Sequence, residues 1–211
     1  MSQADIAEAV ARLDALTRRL RRECPWDREQ NERTIVPHTV EEAYELADAA
    51  QRGDDRKLLD ELGDVLFQVH FLSLLLEERG AGDLAEVAEH CRHKLIRRHP
   101  HVFGDAEARS AGEVLRNWDQ IKAGEEGREP GIFGDVPENL PALLYARKLQ
   151  RRAASAGRWP AAGDEQADAE SFRAIGEELL ALVDRARRQR VDPELALRAA
   201  ADRFREEIGE R

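Results

Sequence analysis

Two neighbouring stretches decide the fold: Thr39-Val40-Glu41-Glu42-Ala43-Tyr44-Glu45-Leu46 and, after a break at Gly53-Asp54-Asp55, Lys57-Leu58-Leu59-Asp60-Glu61-Leu62-Gly63-Asp64-Val65-Leu66-Phe67-Gln68. Each reads as a helix, and each carries two acids three residues apart, Glu42 with Glu45 and Glu61 with Asp64. Side chains three or four apart share a helix face. In the second stretch Lys57, Glu61, Asp64 and Gln68 form one polar stripe. Around that stripe Leu58, Leu59, Leu62, Val65, Leu66, Val69, Leu72 and Leu76 recur at helical spacing. With Phe67 and Phe71 added, apolar residues nearly encircle the segment, which predicts a central helix of a bundle.

Carboxylates set in an apolar helix are costly unless paired or bound to metal. Four of them facing one another across so short a break repel and raise each other's pKa. A divalent cation resolves the conflict, and hard oxygen ligands suit Mg²⁺, which keeps waters and shares its coordination with substrate phosphates. The competing reading is structural. Thr39-x-x-Glu42 is also a capping box, and Glu61 could pair with Lys57 one turn earlier on a solvated face. Two acid pairs, one of them inside a hydrophobic helix, favour the metal.

The rest of the chain agrees with an all-α protein. Its 211 residues fit one large or two small domains, and Ala, Leu, Glu and Arg dominate a composition with only 5% aromatics. No run of alternating β-branched residues predicts a sheet. A net charge of −10 argues against nucleic acid as the partner. Cys24 and Cys91, far apart and without a metal-site spacing, fit reduced thiols in a cytoplasm, a disulfide between them being the less favoured alternative. The N-terminus reads as an amphipathic helix from Ser2 to about Arg22, not a signal peptide. The longest apolar run, near Val69–Leu76, is too short to span a membrane.

In chain order, the loop Cys24-Pro25-Trp26-Asp27 places Trp26 either as filler between helices or as a stacking wall over the acids. Pro37-His38-Thr39 is expected to end that loop, with Thr39 capping the first acidic helix. Gly53 closes this helix, Asp54 or Asp55 caps the next, Gly80 closes that one, and Asp83 with Glu86 opens another. His90 and His93 share a face but have no third ligand at a matching spacing, so they read as surface. Lys94, Arg97 and Arg98 crowd the last turn. They either complement the helix C-terminus or clamp a phosphate. Ser110-x-x-Glu113 opens a helix on which Trp118 and Lys122 face together, either to stack on a base and touch a phosphate or as a lysine snorkelling over a core tryptophan. Gly124 to Pro141 is the linker candidate.

Beyond it three helices are expected, Leu140 to about Ala156, Ala169 to Arg190, and Pro193 to about Glu207 with Asp192 as N-cap. They echo the first half. Ile175-Gly176-Glu177-Glu178 lies over Leu62-Gly63-Asp64-Val65, Arg203 over Lys94, and Trp159 over Trp26. Ala174, however, stands in place of Glu61, and no room remains for a counterpart of the first acidic helix.

The Glu42-x-x-Glu45 and Glu61-x-x-Asp64 pairs, with Cys24-Pro25-Trp26-Asp27, Arg97-Arg98-His99-Pro100-His101-Val102-Phe103 and Trp118-Asp119-Gln120-Ile121-Lys122, resemble the MazG family of the all-α NTP pyrophosphatase superfamily. The likeness is close from about Leu13 to Lys122 and weaker beyond. It implies an all-α, MazG-like helical bundle with a catalytic part at 1–124, a linker at 125–141 and a shortened, degenerate repeat at 142–211 that serves as scaffold or dimer surface.

Further, the resemblance implies Mg²⁺ (Mn²⁺ as a substitute) on Glu42, Glu45, Glu61 and Asp64. Substrate contacts would come from His38, Lys57, Lys94, Arg97, Arg98, Trp118 and Lys122, with Glu41 or Glu42 as the base. The expected activity is hydrolysis of a nucleoside triphosphate to the monophosphate and pyrophosphate by a cytoplasmic homodimer without nucleic-acid or membrane partners, for clearing non-standard nucleotides or controlling nucleotide pools. A non-catalytic nucleotide-binding bundle is the alternative. A ferritin-like di-iron bundle is a third reading, weakened because neither acidic pair carries a histidine at the required offset.

Overall fold

The computed structural model describes residues 2–108, 110–125, 131–134, 136–161, 163 and 168–209. Among them ten helices and no strands occur: α1 (Gln3–Glu23), α2 (Pro25–Glu29), α3 (Glu32–Arg52), α4 (Asp55–Glu78), α5 (Leu84–Arg98), α6 (Pro100–Phe103), α7 (Ala111–Ala123), α8 (Ala142–Ser155), α9 (Ala169–Arg188) and α10 (Pro193–Gly209). The all-α expectation is met. The chain divides into two compact units, Met1–His93 and Lys94–Arg211. Positions 126–130 and 135 of the expected linker lie outside the described residues.

In the first unit the helix ends are set by local chemistry. Ser2 and Asp5 form a capping box on α1. Gly53, at φ 67°, closes α3 in the left-handed conformation that favours glycine. The Asp54 side chain then accepts from the amides of Arg56 and Lys57 and starts α4. Thus α3 and α4 form a tight antiparallel hairpin. Its core is Ile35, Phe71 and Leu75, with Phe67 and Leu72 packed against them. α1 is tied to α4 by charge: Arg18 donates to Asp14 on its own helix and to Glu77 on α4, while Arg21 reaches Glu78. The Arg21 guanidinium also lies over the Phe71 ring, 5.8 Å from its centre. Cys24 and Cys91 are free thiols.

Two expectations for this unit are corrected. α3 does not begin at Thr39. It begins seven residues earlier, capped by Asn31, whose side chain accepts from the Arg33 and Thr34 amides while Thr34 returns the bond to the Asn31 amide. Pro37 therefore sits inside the helix. The helix absorbs the one backbone bond that proline cannot donate. Thr39 is mid-helix, its hydroxyl 3.3 Å from the Ile35 carbonyl and from Gln68 Oε1, so the capping-box reading of Thr39 and Glu42 falls. Nor is α4 enclosed on all sides. Leu59 is 74% exposed, and Leu62, Leu66 and Val69 also reach solvent.

The second unit has its own core of Phe133, Val136, Tyr145, Leu149, Ala153, Ala201 and Ile208, drawn from α8, α10 and the strap before α8. Phe133 and Val136 show that the described part of residues 131–141 is packed rather than free. Arg198 on α10 donates to the Glu138 and Leu140 carbonyls of that strap. Pro141 cannot cap α8 with its side chain, and the Glu194 carboxylate of α10 takes the Ala142 amide instead, at 2.6 Å. α9 is amphipathic, yet none of its residues is buried, and Phe172, Ile175, Leu179 and Leu180 stand in solvent.

Candidate metal centre and substrate groups

The hairpin turns two sequence spacings into one site. Glu42 and Glu45 lie one turn apart on α3, Glu61 and Asp64 one turn apart on α4, and the antiparallel pairing brings the two faces together. Carboxylate oxygens of Glu42, Glu45 and Glu61 all lie within 4.8 Å of one another. Asp64 stands outside that tight triad but is close enough to be the strongest charged influence on Glu42. Burial is graded: Glu61 is 5% exposed, Glu42 is half-buried, and Glu45 and Asp64 are open to solvent. The site is closed at its base and open at its mouth.

The electrostatics match that arrangement. The Glu42 carboxyl is pushed above its ordinary range by loss of water, then by Asp64, Glu45 and Glu61. Glu61 is pushed the same way by loss of water and by Glu45, against a pull from Lys57. Lys57 Nζ lies 3.7 Å from Glu61 Oε1, so one lysine faces several acids. The donor set is entirely carboxylate oxygen, which suits a hard divalent cation. Ligand oxygens around Mg²⁺ stand at most about 4 Å apart, given metal–oxygen distances of about 2.1 Å. Small side-chain rotations would therefore bring all three acids onto one ion.

His38 and Glu41 flank the triad on α3. His38 Nδ1 is 3.4 Å from Glu41 Oε2, and Glu41 is exposed. Trp26 resolves its two readings towards the surface. It is half-exposed and meets His38 edge-on, with ring centres 5.6 Å apart. Gln68, the last member of the polar stripe, is buried and holds Thr39 across the hairpin. His90 and His93 are exposed, and His93 is engaged by Glu89 and Arg92.

The remaining candidates belong to the second unit. Arg97 and Arg98 both grip the Glu125 carboxylate just past the end of α7. Glu125 responds with a carboxyl lowered to about 2, chiefly by Arg98. Arg98 and Glu125 are 11% and 13% exposed at the side chain, so this is a nearly buried ion pair. Glu125 was invisible to sequence reasoning because 27 and 28 residues separate it from its partners. Lys94 is half-buried on α5. On α7, Trp118 packs against His99 at 5.7 Å, its buried indole N–H has no acceptor among the described residues, and Lys122 follows one turn later.

A helical hairpin that gathers two carboxylates from α3 and one from α4 within 4.8 Å of one another, with Asp64 outside that triad, defines a class: all-α proteins with an acidic cluster between two antiparallel helices. Residues 30–103, which contain that hairpin, match the sequence model of the MazG nucleotide pyrophosphohydrolase domain. The chain is 38% identical over 220 residues to a nucleoside triphosphate pyrophosphohydrolase of Escherichia coli (strain K12), covering 92% of this chain and 84% of that one. It is 38% identical over 197 residues to the nucleoside triphosphate pyrophosphohydrolase/pyrophosphatase MazG of Thermotoga maritima, covering 86% and 76%. The chain belongs to the MazG nucleotide pyrophosphohydrolase family.

Proposed function

We propose that this chain is a Mg²⁺-dependent hydrolase that splits nucleoside triphosphates into the monophosphate and pyrophosphate. The observation that carries the reading is the convergence of Glu42, Glu45 and Glu61 within 4.8 Å, with Asp64 at their edge. The relatives from E. coli and T. maritima are named as nucleoside triphosphate pyrophosphohydrolases.

In this reading Glu42, Glu45, Glu61 and Asp64 hold the cation. A divalent cation held there would supply charge neutralisation to the phosphates and activation to the attacking water. Lys57, half-exposed beside the buried Glu61, partly offsets the charge of the acids. Glu42, whose carboxyl is raised by loss of water and then by its acidic neighbours, accepts the proton from the attacking water; Glu41 is the second candidate for that role. His38 lies at the mouth beside Trp26 and meets the substrate. Lys94, Arg97, Arg98 and Lys122 bind phosphates, and Trp118 stacks on the base. The divisions are 1–124 for catalysis, 125–141 as linker and 142–211 as a shortened, degenerate repeat that lacks the four-acid motif and serves as scaffold or dimer surface.

The exposed apolar stripe of Leu59, Leu62, Leu66 and Val69 on α4 supports a homodimer that covers it, since a monomer rarely leaves so continuous an apolar surface to water. No described helix is long and apolar enough to cross a membrane, which is consistent with a cytoplasmic setting.

The test is pyrophosphate release from a panel of nucleoside triphosphates with Mg²⁺ titrated. Glu61→Ala is expected to lose a factor of about 10² or more in kcat, the scale of removing a central electrostatic group. It is also expected to lose the rise in melting temperature that Mg²⁺ gives the parent. A Glu61→Ala variant as active as the parent removes this site from the reaction.

A further inference from the structure

The second unit contains a cavity that the acid site does not use. It has a volume of about 510 Å³ and lies between α7, α8 and the segment after α8, where Leu115, Arg116, Arg147, Gln150, Arg151 and Trp159 line it. That volume is within the usual range of small-molecule sites, about 300–1,000 Å³.

Its charge is unusual for this molecule. The chain carries a net charge of −10, yet three arginines meet here and no acid lines the cavity among its described residues. Arg147 and Arg151 are one turn apart on α8, where like charges repel. Arg116 faces them from α7. Asp119 balances only one of the three: it lies 3.4 Å from Arg151 and also accepts the Ser155 hydroxyl at 2.8 Å. Neither Arg116 nor Arg147 has an ion-pair partner among the described residues. A local excess of guanidinium, convergent from two helices, calls for an anion, and arginine is suited to phosphate oxygens.

The opposite wall is aromatic. Trp159 is 43% exposed, while its ring is held by an edge-on contact with Phe204, ring centres 4.9 Å apart at 88°. An indole fixed on one side and open on the other is a platform for a flat heteroaromatic ring. Gln150 adds an amide that can both donate and accept.

We propose that this cavity is a second ligand site, for a mononucleotide: phosphate on Arg116 and Arg147, base on Trp159. It is independent of the acid triad and needs no metal. Its residues lie in the compact unit Lys94–Arg211, which carries none of Glu42, Glu45, Glu61 and Asp64, and the site gives that unit a ligand of its own.

The experiment is isothermal titration of adenosine monophosphate into the full chain in EDTA, with adenosine and inorganic phosphate titrated separately. The expected result is saturable binding of one equivalent of the monophosphate, with adenosine and phosphate each weaker by about tenfold or more. Arg116→Gln and Arg147→Gln are both exposed changes, checked by circular dichroism for an unchanged fold. Each is expected to weaken binding about tenfold or more, Trp159→Leu is expected to weaken it as well, and all three should leave the sedimentation coefficient unchanged.

Absence of saturable binding overturns the proposal, as does an Arg116→Gln/Arg147→Gln double variant that binds like the parent. Phosphate alone binding as tightly as the nucleotide overturns the role of Trp159. Dissociation of an oligomer in the double variant overturns the ligand assignment and makes the cavity an interface. Glu61→Ala separates the two sites: it is expected to abolish turnover while retaining binding in EDTA. If that variant keeps turnover, the acid-site reading fails and this one stands; if it loses binding in EDTA, this one fails.

Discussion

Glu125→Gln is the perturbation whose cost the structure allows to be worked out. Glu125 binds two guanidiniums, and its carboxyl is lowered from an ordinary 4.5 to about 2. At about 1.4 kcal/mol per pH unit, that drop corresponds to about 3 kcal/mol at neutral pH. Glutamine keeps one accepting oxygen, and both partners retain some solvent, so the expected loss is smaller, about 2 kcal/mol.

The sign with pH follows from the direction of the shift. A carboxyl held lower in the folded than in the unfolded state stabilises above the unfolded value. That contribution disappears as pH falls from 4.5 towards 2. Urea unfolding followed by fluorescence, which Trp118 and Trp159 report from the second unit, measures it. The parent should exceed the variant in stability at pH 7, and the gap should shrink steadily below about pH 5. Equal stability at pH 7, or a gap that persists unchanged at pH 3, refutes the claim that Glu125 anchors Arg97 and Arg98.

Three further outcomes are expected. If the proposed homodimer covers the exposed stripe of α4, Leu62→Asp should convert it to a monomer in analytical ultracentrifugation while leaving helix content intact; an unchanged dimer would move the interface elsewhere. Phe71→Ala removes a ring that is fully buried and should cost about 3–5 kcal/mol in chemical denaturation. Tyr145→Phe deletes a hydroxyl that donates to Asp202 at 3.0 Å. It should cost about 1–2 kcal/mol, and a variant as stable as the parent would make that bond energetically idle.

Much of the site was legible because helical spacing is local. An acid three residues from another must share its face, so Glu42 with Glu45 and Glu61 with Asp64 needed no tertiary information. Gly53 and Asp54 were equally readable, since a left-handed terminator and an aspartate cap act within one turn. The start of α3 misled for the opposite reason. Pro37 looked like a boundary, but Asn31 and Thr34 make a better cap, and a helix that buries Ile35 tolerates one missing backbone bond.

What the sequence by itself determined, then, is the helices, the faces their acids occupy and the family those motifs mark. Only the tertiary structure decided which residues confront one another across helices. It drew carboxylate oxygens of Glu42, Glu45 and Glu61 within 4.8 Å of one another and left Asp64 outside that triad. It gave Arg97 and Arg98 to Glu125, and set three arginines around Trp159. Periodicity fixes direction around one helix axis, whereas distance between helices depends on how apolar faces pack, and residues tens of positions apart carry no local signal of that encounter.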